Sequence, residues 1–270
     1  MWVRIYIKHY FLTFRFLFTL SSLIRFVVFI GLNSSTIFLN NCCESPKAIN
    51  SNRNVFTVNK KSIYFPNDIS EISLDRSFIK NEIIINHYGQ KEAAIVTSRG
   101  CIYNCAFCGG AKSLNEDIPA RIRSTDSVIK EIQEIINIYP SVQSIRVLDD
   151  LFLKSKNSII DAKNVFSNFP QVSWRGMAHV LSFKDYDKEL SILKESNCKE
   201  LFVGIESGSN RVRKKINKLG TAQNVIDVAT KIMQHGIDLK GYFIYGFPDE
   251  TEFDFQETYK LACVLKEISK

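Results

Sequence analysis

Three of the seven cysteines lie within eight residues, in the run Cys101-Ile-Tyr-Asn-Cys105-Ala-Phe-Cys108. A disulfide scaffold is disfavoured, because the number of cysteines is odd and three thiols this close cannot all pair with one another. Three thiolates from one loop are soft ligands that suit zinc or an iron–sulfur cluster. Zinc ordinarily takes a fourth protein ligand, and no second Cys or His pair lies nearby. In a cubane cluster, three thiolates leave one iron open to an outside ligand.

Two acidic residues and one histidine follow apolar runs farther along the chain. Asp149 and Asp150 come directly after the run 144–148 and should face the mouth of the cleft, and His179 ends the run 172–179. Paired carboxylates can bind a polar substrate, orient a cofactor or act as acid and base, and as a structural alternative they cap the following helix. His179 is a candidate proton donor or substrate ligand, or a structural histidine. Three lysines follow the run 200–205 and are interpreted as a solvated helix face: Lys214, Lys215 and Lys218.

Alternating apolar and amphipathic stretches must position these groups. Short β-branched runs predict strands at 93–98, 144–148, 172–179, 200–205 and 239–245. Helical patterns occupy 157–168, 186–196, 222–234 and 251–268, and a further helix begins after Ser124 and ends at Pro140. Repeated β-α units predict an α/β protein with a parallel sheet. An open doubly wound sheet and a partial or full β/α barrel both fit, and in each the chemistry belongs at the carboxyl ends of the strands.

The distribution of charge narrows the function. The 270 residues include 35 Lys and Arg and 28 Asp and Glu, for a formal net charge of +7. Residues 1–100 carry 12 basic and 6 acidic side chains (+6), which leaves 23 and 22 (+1) for residues 101–270. The cysteine-bearing region is therefore nearly neutral, which argues against a nucleic-acid partner. A hydrophobic fraction of 45% excludes whole-chain disorder.

The first 43 residues hold four basic side chains, no acidic one and the apolar run 16–32. A transmembrane helix needs about 20 mainly apolar residues, and a central Arg costs about 2.5–3.5 kcal/mol. Arg15 and Arg25 fall near one helical face, which favours a segment lying at a membrane surface. The alternatives are an extension outside the working fold and a targeting peptide. We expect a hydrophobic basic leader at 1–43 with membrane-surface contact through 1–32, a linker at 44–90 with strands at 54–59 and 83–86, and a core domain at 91–270, in a cytoplasmic protein.

Four motifs occur in order along the chain: Thr97-Ser-Arg-Gly-Cys101 with the rest of the cysteine trio, Asp149-Asp-Leu-Phe152, Gly204-Ile-Glu-Ser-Gly208 and Gly241-Tyr-Phe-Ile-Tyr-Gly-Phe-Pro-Asp-Glu-Thr251. Together they resemble the radical S-adenosylmethionine (SAM) superfamily, from about residue 92 to the C-terminus. The nearest subgroup is the one often joined to a cobalamin-binding module. The resemblance implies a partial TIM-type (β/α) barrel.

The same resemblance implies that Cys101, Cys105 and Cys108 hold a 4Fe-4S cluster whose fourth iron binds SAM. One electron from a low-potential donor of the flavodoxin or ferredoxin type would cleave SAM to methionine and a 5′-deoxyadenosyl radical, which abstracts hydrogen from substrate. A low-potential cluster needs thiolates and a controlled shell of backbone N–H groups. The glycines beside the trio allow that close approach.

Other residues match the family's SAM contacts in the cysteine loop. Gly109 and Gly110 resemble the start of the Gly-Gly-Glu strand that receives the SAM amino group, and Ala111 stands where the family has Glu. Phe107 resembles the aromatic residue whose backbone meets the adenine. Because Ala111 has no carboxylate, backbone carbonyls are left to accept the hydrogen bonds of the SAM amino group.

Two later strand ends also match SAM contacts. Glu206 and Ser207 resemble the position that meets the ribose and the amino-acid part of SAM. Gly246 and Phe247 fit the segment that packs on the adenine. The family commonly has a second glycine at the position of Asp249, so a different local loop geometry is expected there.

The sequence also departs from the family pattern. The first 90 residues are too short and irregular for a cobalamin-binding βαβ domain, and no Asp-x-His-x-x-Gly occurs, so cobalamin-dependent methyl transfer is not supported. Methylthio transfer to RNA is disfavoured, because no second cysteine trio precedes the first. Only five strands are predicted in the core domain, whereas the family core closes with six β/α units. We expect the barrel to be about one β/α unit short at the C-terminus, completed by a partner or by a further segment.

The function implied is a radical SAM enzyme that abstracts hydrogen from a small polar molecule, such as a sugar-containing or natural-product intermediate. A low-potential electron donor and a small-molecule substrate are the expected partners. The alternatives are a methyltransferase whose cobalamin comes from a partner and a truncated, non-catalytic paralogue.

Overall fold

The computed structural model describes residues 2–7, 10–15, 27–30, 69–71, 76, 84–115 and 120–269, the first three ranges only as backbone. The predicted strand at 54–59 and most of the apolar run 16–32 lie outside the described residues, so membrane-surface contact through 1–32 stays a prediction. Within the described ranges, no helix is both long and apolar enough to cross a bilayer.

The elements alternate as β-α units from residue 91 onward. The strands are β1 Trp2–Ile7, β2 Tyr10–Arg15, β3 Val27–Ile30, β4 Ile84–Ile85, β5 Lys91–Ile95, β6 Ser98–Arg99, β7 Arg121–Ile122, β8 Ser144–Val147, β9 Ser173–Ala178, β10 Cys198–Glu206 and β11 Asp238–Tyr245. The helices are α1 Thr125–Ile138, α2 Lys156–Phe166, α3 Tyr186–Glu195, α4 Asn210–Lys215, α5 Ala222–Gln234 and α6 Glu252–Ile268. Short 3-10 turns lie at Ile69–Glu71 and Lys112–Leu114.

The central sheet has seven strands in the order β3-β11-β10-β9-β8-β5-β4. Neighbouring strands pair in parallel, except that β4 lies antiparallel to β5 at one edge. The five predicted strands correspond to β5, β8, β9, β10 and β11, within three residues at each end. A sixth parallel position, beside β11, is taken by β3 from the N-terminal segment. The predicted partial TIM-type barrel is confirmed as a curled, open half barrel.

The predicted helices are present because their N-terminal caps are strong. The Ser124 side chain accepts a hydrogen bond from the backbone of Ser127. Thr221 and Asn224 form a capping box before α5, and Thr251 and Asp254 form one before α6. Such caps satisfy backbone donors that have no partner within the helix. The bounds of α5 are those predicted from the sequence.

The short helix α4 and the short strand pair β6–β7 were not predicted. Helix α4 has six residues, too few to show a helical hydrophobic period, and it divides the connection between β10 and β11. Strands β6 and β7 pair over two residues on each side and enclose the cysteine loop. Elements this short are decided by tertiary contacts rather than by local sequence pattern.

The apolar core lies between the outer face of the sheet and the helices. Ile145 and Leu201 are fully buried there, with the Trp174 ring on the strand between them. The Trp174 and Phe166 rings stack with centroids 4.8 Å apart, and Trp174 Nε1 donates to the Ser196 carbonyl at 2.8 Å. Burial of these side chains fixes α2 and α3 against the sheet.

The inner face of the same sheet carries charge instead. Arg175 on β9 donates to Glu92 Oε1 at 2.5 Å and to Glu200 Oε2 at 2.6 Å, and all three residues are at most 8% exposed. Although burial opposes its charge, the hydrogen bonds from Arg175 hold the pKa of Glu92 below its usual range. This group closes the half barrel near the amino ends of its strands.

The turn after β10 packs directly on α6. The Ser209 hydroxyl donates to Asp254 Oδ1 at 2.6 Å, and the Gly208 amide donates to Thr258 Oγ1 at 3.0 Å. A Cβ atom on Gly208 would lie 2.4 Å from the Glu257 carbonyl oxygen and 2.7 Å from the Thr258 Cα. Only glycine allows this approach, because the atoms that a side chain would meet belong to the helix backbone.

We expect Gly208→Ala to lower the free energy of unfolding by about 1–3 kcal/mol, because α6 must move to relieve the clash. Gly109→Ala is the matched control, since a Cβ atom there would meet nothing within 4 Å. Urea unfolding of the cluster-free chain, followed by circular dichroism, measures both. Equal stability of the two variants would contradict the packing described.

Candidate active site

The three cysteines of the loop after β6 are all free thiols. Cys105 is buried, whereas Cys101 and Cys108 are half-buried at the carboxyl ends of the strands. The Tyr103 amide donates to Cys101 Sγ at 3.5 Å, and the Cys108 amide donates to the Cys105 carbonyl at 3.1 Å. The loop therefore folds back on itself and presents its thiols from one short stretch of backbone.

The turn that follows α4 supports this loop from below. The Ala106 amide donates to the Ile216 carbonyl at 2.8 Å, and Asn217 Nδ2 donates to the Asn104 carbonyl at 2.8 Å. Asn217 has a φ of 53°, a left-handed conformation that asparagine tolerates. The cysteine loop is thus fixed by a segment more than one hundred residues away in sequence.

The glycines beside the trio leave its outer side open. A Cβ atom on Gly109 would meet nothing within 4 Å, and one on Gly110 would lie 3.6 Å from Cys108 Sγ and 4.0 Å from Asp150 Cγ. Gly100 has a φ of 94°, and its amide donates to Asp150 Oδ2 at 2.9 Å. Asp150 therefore lies beside the cysteine loop, as its motif suggested.

Asp149 lies elsewhere than expected. It is 5% exposed and accepts three hydrogen bonds, from the Thr97 amide at 2.6 Å, the Thr97 hydroxyl at 2.5 Å and the Ser98 hydroxyl at 2.7 Å. These bonds tie the end of β8 to the exit of β5, from which the cysteine loop departs. The expectation that Asp149 faces the mouth of the cleft is corrected, because its oxygens are occupied inside the fold.

Glu206 ends β10 in a left-handed conformation with a φ of 64°. Its Oε1 is 3.1 Å from Lys218 Nζ, and both side chains are less than 10% exposed. A Cβ atom on Gly204 would lie 2.4 Å from Glu206 Oε1 and 3.0 Å from Lys218 Nζ, so glycine is what leaves room for the pair. The interpretation of Lys218 as part of a solvated face is wrong. The available signal was its place ten residues after the Glu206-Ser-Gly208 turn.

Ser207 does not share this position with Glu206. It is fully buried, and its hydroxyl lies 3.0 Å from Thr258 Oγ1 on α6. Arg213 is also buried and donates to the carbonyls of Ile205 and Gly220, at 2.5 Å and 2.7 Å. Both side chains fix the turn after β10 rather than line the cleft.

His179 is a neutral donor whose proton has no partner in the described part of the chain. Its Nδ1 accepts from the Leu181 amide at 3.1 Å, which assigns the ring proton to Nε2. Nε2 is buried and makes no hydrogen bond. The Tyr103 ring covers the imidazole with centroids 4.1 Å apart. Burial, together with the charges of Lys218 and Arg213, lowers the pKa of His179 to about 3.

The structure brings Phe107 and Phe247 together, with ring centroids 5.6 Å apart. The Gly246 and Phe247 amides donate to Glu250 Oε2 at 2.5 Å and 3.2 Å, which closes the loop after β11. Asp249 has a φ of 62°, the left-handed conformation that glycine favours. Asp249 thus adopts the backbone conformation that glycine favours, and the expectation of a different loop geometry stays a prediction.

The donor set fits an iron–sulfur cluster in its chemistry. Three free thiols leave one loop, and an amide already donates to one of the sulfurs. Burial raises the pKa of Cys105, while the charge of Lys218 opposes that effect. Among the described residues, no three His, Cys, Asp or Glu side chains surround a single metal ion. The three thiolates of a cubane cluster bind three different irons.

These features define a class of protein: a β/α half barrel with three free cysteines on the loop between β6 and β7, at the carboxyl ends of its parallel strands. The family model of the radical SAM superfamily matches residues 95–262. The chain therefore belongs to the radical SAM superfamily, and the predicted enzyme class is confirmed. The predicted cofactors, a 4Fe-4S cluster and SAM, are confirmed for the family. Enzymes of this family generally use a reductant and a small-molecule substrate.

Several curated proteins are similar over this region. An uncharacterized methyltransferase of Pyrococcus horikoshii is 34% identical over 169 residues, which is 62% of this chain and 36% of that protein. A tRNA-2-methylthio-N(6)-dimethylallyladenosine synthase of Natranaerobius thermophilus is 27% identical and covers 73% of this chain and 45% of its own. The bacteriochlorophyllide d C-12(1)-methyltransferase of Chlorobaculum tepidum is 25% identical, with 76% and 45% covered. The chain thus spans less than half the length of these relatives.

Two solved structures share the fold. The cobalamin-dependent SAM radical enzyme OxsB, with aqua-cobalamin and SAM bound, aligns with a TM-score of 0.54 at 20% identity, over 62% of this chain and 26% of its own. The radical SAM methyltransferase TsrM from Kitasatospora setae, with cobalamin and a [4Fe-4S] cluster bound, aligns with a TM-score of 0.54 at 17% identity. The alignment covers 65% of this chain and 33% of TsrM. At these identities the likeness shows the half-barrel fold alone.

Lys218→Met should lower the free energy of unfolding by about 3–5 kcal/mol, because it leaves the buried Glu206 carboxylate without its partner. Lys215→Met is the matched control. Lys215 pairs with Asp249 at the surface, where both side chains are more than 40% exposed, and its loss should cost less than about 1 kcal/mol. Urea unfolding of the two variants measures the difference. Equal losses would mean that Lys218 is as solvated as Lys215.

A second prediction concerns the pH dependence of stability. The pKa of His179 falls from 6.5 in the unfolded chain to about 3 in the folded one, so only the unfolded chain gains a proton between these values. The stability due to the neutral ring is complete above pH 6.5 and decreases as the pH falls, by up to about 1.4 kcal/mol per pH unit. His179→Gln cannot be protonated and should remove that part of the slope. The free energy of unfolding of the wild type and of His179→Gln is measured from pH 7 to pH 4. The two would depend on pH in parallel if His179 were accessible to protons in the folded chain.

Proposed function

We propose that Cys101, Cys105 and Cys108 bind a 4Fe-4S cluster and that this chain cleaves SAM reductively to act on an organic substrate inside the half barrel. The observation that carries the proposal is the convergence of a three-thiol loop, a buried Lys218–Glu206 pair and an aromatic pair at the carboxyl ends of the parallel strands. Membership of the radical SAM superfamily supports the same assignment.

The cleft offers one matching group for each part of SAM. The Gly109–Gly110 backbone is open and next to Cys108 Sγ, as required of a segment that binds the amino group near the cluster. The Lys218 ammonium could bind the carboxylate of SAM, and the Glu206 carboxylate could accept hydrogen bonds from the ribose hydroxyls of SAM. Ser207, buried against α6, acts by fixing the turn that carries Glu206.

The adenine fits beside Phe107 and Phe247. Phe107 is 40% exposed although it is a large apolar side chain, and it lies against Phe247 at the edge of the cleft. Glu250 fixes the Gly246 and Phe247 amides, so the second wall of this site is preformed. A flat base would cover both rings and remove apolar surface from water.

A cluster held by Cys101, Cys105 and Cys108 would supply, from a low-potential flavodoxin- or ferredoxin-type donor, the single electron for reductive cleavage of SAM and hydrogen abstraction from substrate. The chain positions its groups for this chemistry. Asp150 holds the Gly100 amide and so orients the entry of the cysteine loop, and Asp149 fixes the strand end before it. His179 presents the unpartnered Nε2–H as a hydrogen-bond donor to a substrate oxygen or nitrogen.

Methyl transfer is the second candidate. The relative of Pyrococcus horikoshii and that of Chlorobaculum tepidum are both named methyltransferases, and the aligned OxsB and TsrM structures hold cobalamin. Because the chain spans under half the length of its relatives, cobalamin would have to come from outside the described residues or from a partner. The two candidates share the cysteine loop and the SAM site, and they differ in the product formed from SAM.

Anaerobic reconstitution of the chain with iron and sulfide, followed by dithionite and SAM, tests the proposal. The wild type should develop the brown absorbance of a 4Fe-4S cluster and release 5′-deoxyadenosine. The triple variant Cys101→Ala, Cys105→Ala, Cys108→Ala should lose both, by more than about a hundredfold, because the ligands are gone. Absorbance, iron content and chromatography of the products are the measurements.

Cys263→Ala is the matched control, since Cys263 is an exposed cysteine on α6. It should assemble the cluster as the wild type does. Release of S-adenosylhomocysteine without 5′-deoxyadenosine would instead favour methyl transfer. Stoichiometric binding of zinc without cluster assembly would overturn both candidates.

A further inference from the structure

Three cations surround one aromatic ring on the inner face of the half barrel. Ile145 and Val147 are buried in the outer core, so Arg146 between them points inward, and Phe202 does the same on β10. The Arg146 and Arg175 guanidinium carbons lie 5.2 Å and 5.4 Å from the centroid of Phe202. Lys240 Nζ, on β11, lies 5.8 Å from it, on the strand paired with β10.

The charge of Arg175 is neutralised by two carboxylates. It donates to both oxygens of Glu92 and to Oε2 of Glu200. Glu92 Oε2 also accepts from Ser144 Oγ at 3.0 Å, and His87 Nε2 lies 3.3 Å from Glu200 Oε1. Both carboxylates of this group thus bind other residues, and neither is hydrogen-bonded to Arg146 in the described part of the chain.

Arg146 has no such partner. Within the described ranges it makes neither a hydrogen bond nor an ion pair, and its Nε is buried and unsatisfied. Its only contacts of a polar kind are the Phe202 ring and the electrostatic effect on Tyr242. Of its guanidinium nitrogens, Nε is the one that is both buried and without a partner among the described residues, and a buried donor without an acceptor is costly unless an anion completes it.

The position of these cations joins them to the cleft. In the sheet register Arg146 is level with Arg175 and Glu200, four residues before Gly204 and six before Glu206 on β10, so it lies about 13–20 Å below the proposed SAM site at about 3.3 Å per residue. Arg146, Lys240 and Tyr242 are all half-buried, whereas Phe202 below them is 3% exposed. Lys240 also lies 5.8 Å from the centroid of the Tyr242 ring. The half-buried Arg146 and Lys240 form a cationic floor inside the half barrel, and the Tyr242 ring forms one aromatic wall beside it.

We propose that Arg146 and Lys240 bind an oxyanion of the substrate, a carboxylate or a phosphate, with Tyr242 against the organic part that carries it. This inference rests on the proposed function, because it assigns the substrate class of the same cleft. A guanidinium binds such a group through two parallel N–H donors, which orients as well as holds it. The anion would fix one end of the substrate at the floor and leave its reactive carbon nearer the SAM site.

Isothermal titration at low salt tests the proposal with benzoate, phenyl phosphate and the neutral isostere benzamide. At least one of the two anions should bind the wild type, and benzamide should bind at least tenfold more weakly. Arg146→Gln should weaken the bound anion by tenfold or more, and Arg146→Lys should restore part of the loss. Preference between benzoate and phenyl phosphate distinguishes a carboxylate site from a phosphate site.

Lys163→Gln is the control, because Lys163 is an exposed lysine on the outer helix α2 and its loss should leave anion binding unchanged. Lys240→Gln gives a second variant in case Arg146→Gln does not fold, which circular dichroism will show. Binding that is equal in the wild type and both variants, or no anion binding at all, would overturn the site.

The titrations are made on both the cluster-loaded and the cluster-free wild type, with 5′-deoxyadenosine measured in parallel. Anion binding without cluster assembly would overturn the proposed function and keep the oxyanion site. SAM cleavage without anion binding would do the reverse. The two proposals therefore fail separately.

Discussion

The hydrogen bonds of Asp149 are the constraint on which the site depends. Its carboxylate joins the end of β8 to the Thr97 amide and to the hydroxyls of Thr97 and Ser98, at the point where the chain leaves β5. The cysteine loop begins three residues later. Charge-assisted bonds of this length are strong and directional, and they lie where water has little access. The loop consequently leaves the sheet in one direction, toward Asp150 and the turn after α4.

The outer face of the sheet contributes to stability, whereas the inner face carries the charged groups proposed for recognition. The outer face buries apolar side chains against the helices, as the packing of Trp174 on Phe166 illustrates. The inner face holds buried charges, which are tolerated only when they are paired. Arg175 meets that condition through Glu92 and Glu200, and Lys218 meets it through Glu206. Arg146, which is half-buried, has no such partner within the described part of the chain, and this exception is what points to an anionic ligand.

Sequence pattern predicted the parallel strands, the long helices and the loop that carries the thiols. It succeeded there because periodicity, caps such as Thr221, and the cysteine spacing are local properties of the chain. It failed for α4 and for β6 with β7, which are too short to show a period. It also placed Lys218 in solvent and Asp149 at the cleft mouth. The correct positions of these two residues depend on partners that are distant in sequence, and only the fold shows which partners those are.

The superfamily, the β/α architecture and the three cysteines predicted to bind a cluster followed from the sequence alone, because each depends on residue types at fixed spacing. Only the tertiary structure decided how the other polar residues are used. It paired Lys218 with Glu206, turned Ser207 toward α6, left His179 Nε2 without a partner among the described residues and set Arg146 beside an already neutralised Arg175. The physical reason is that the energy of a charge or a hydrogen-bond donor depends on its burial and its neighbours. In a curled sheet, those neighbours come from strands far apart in sequence.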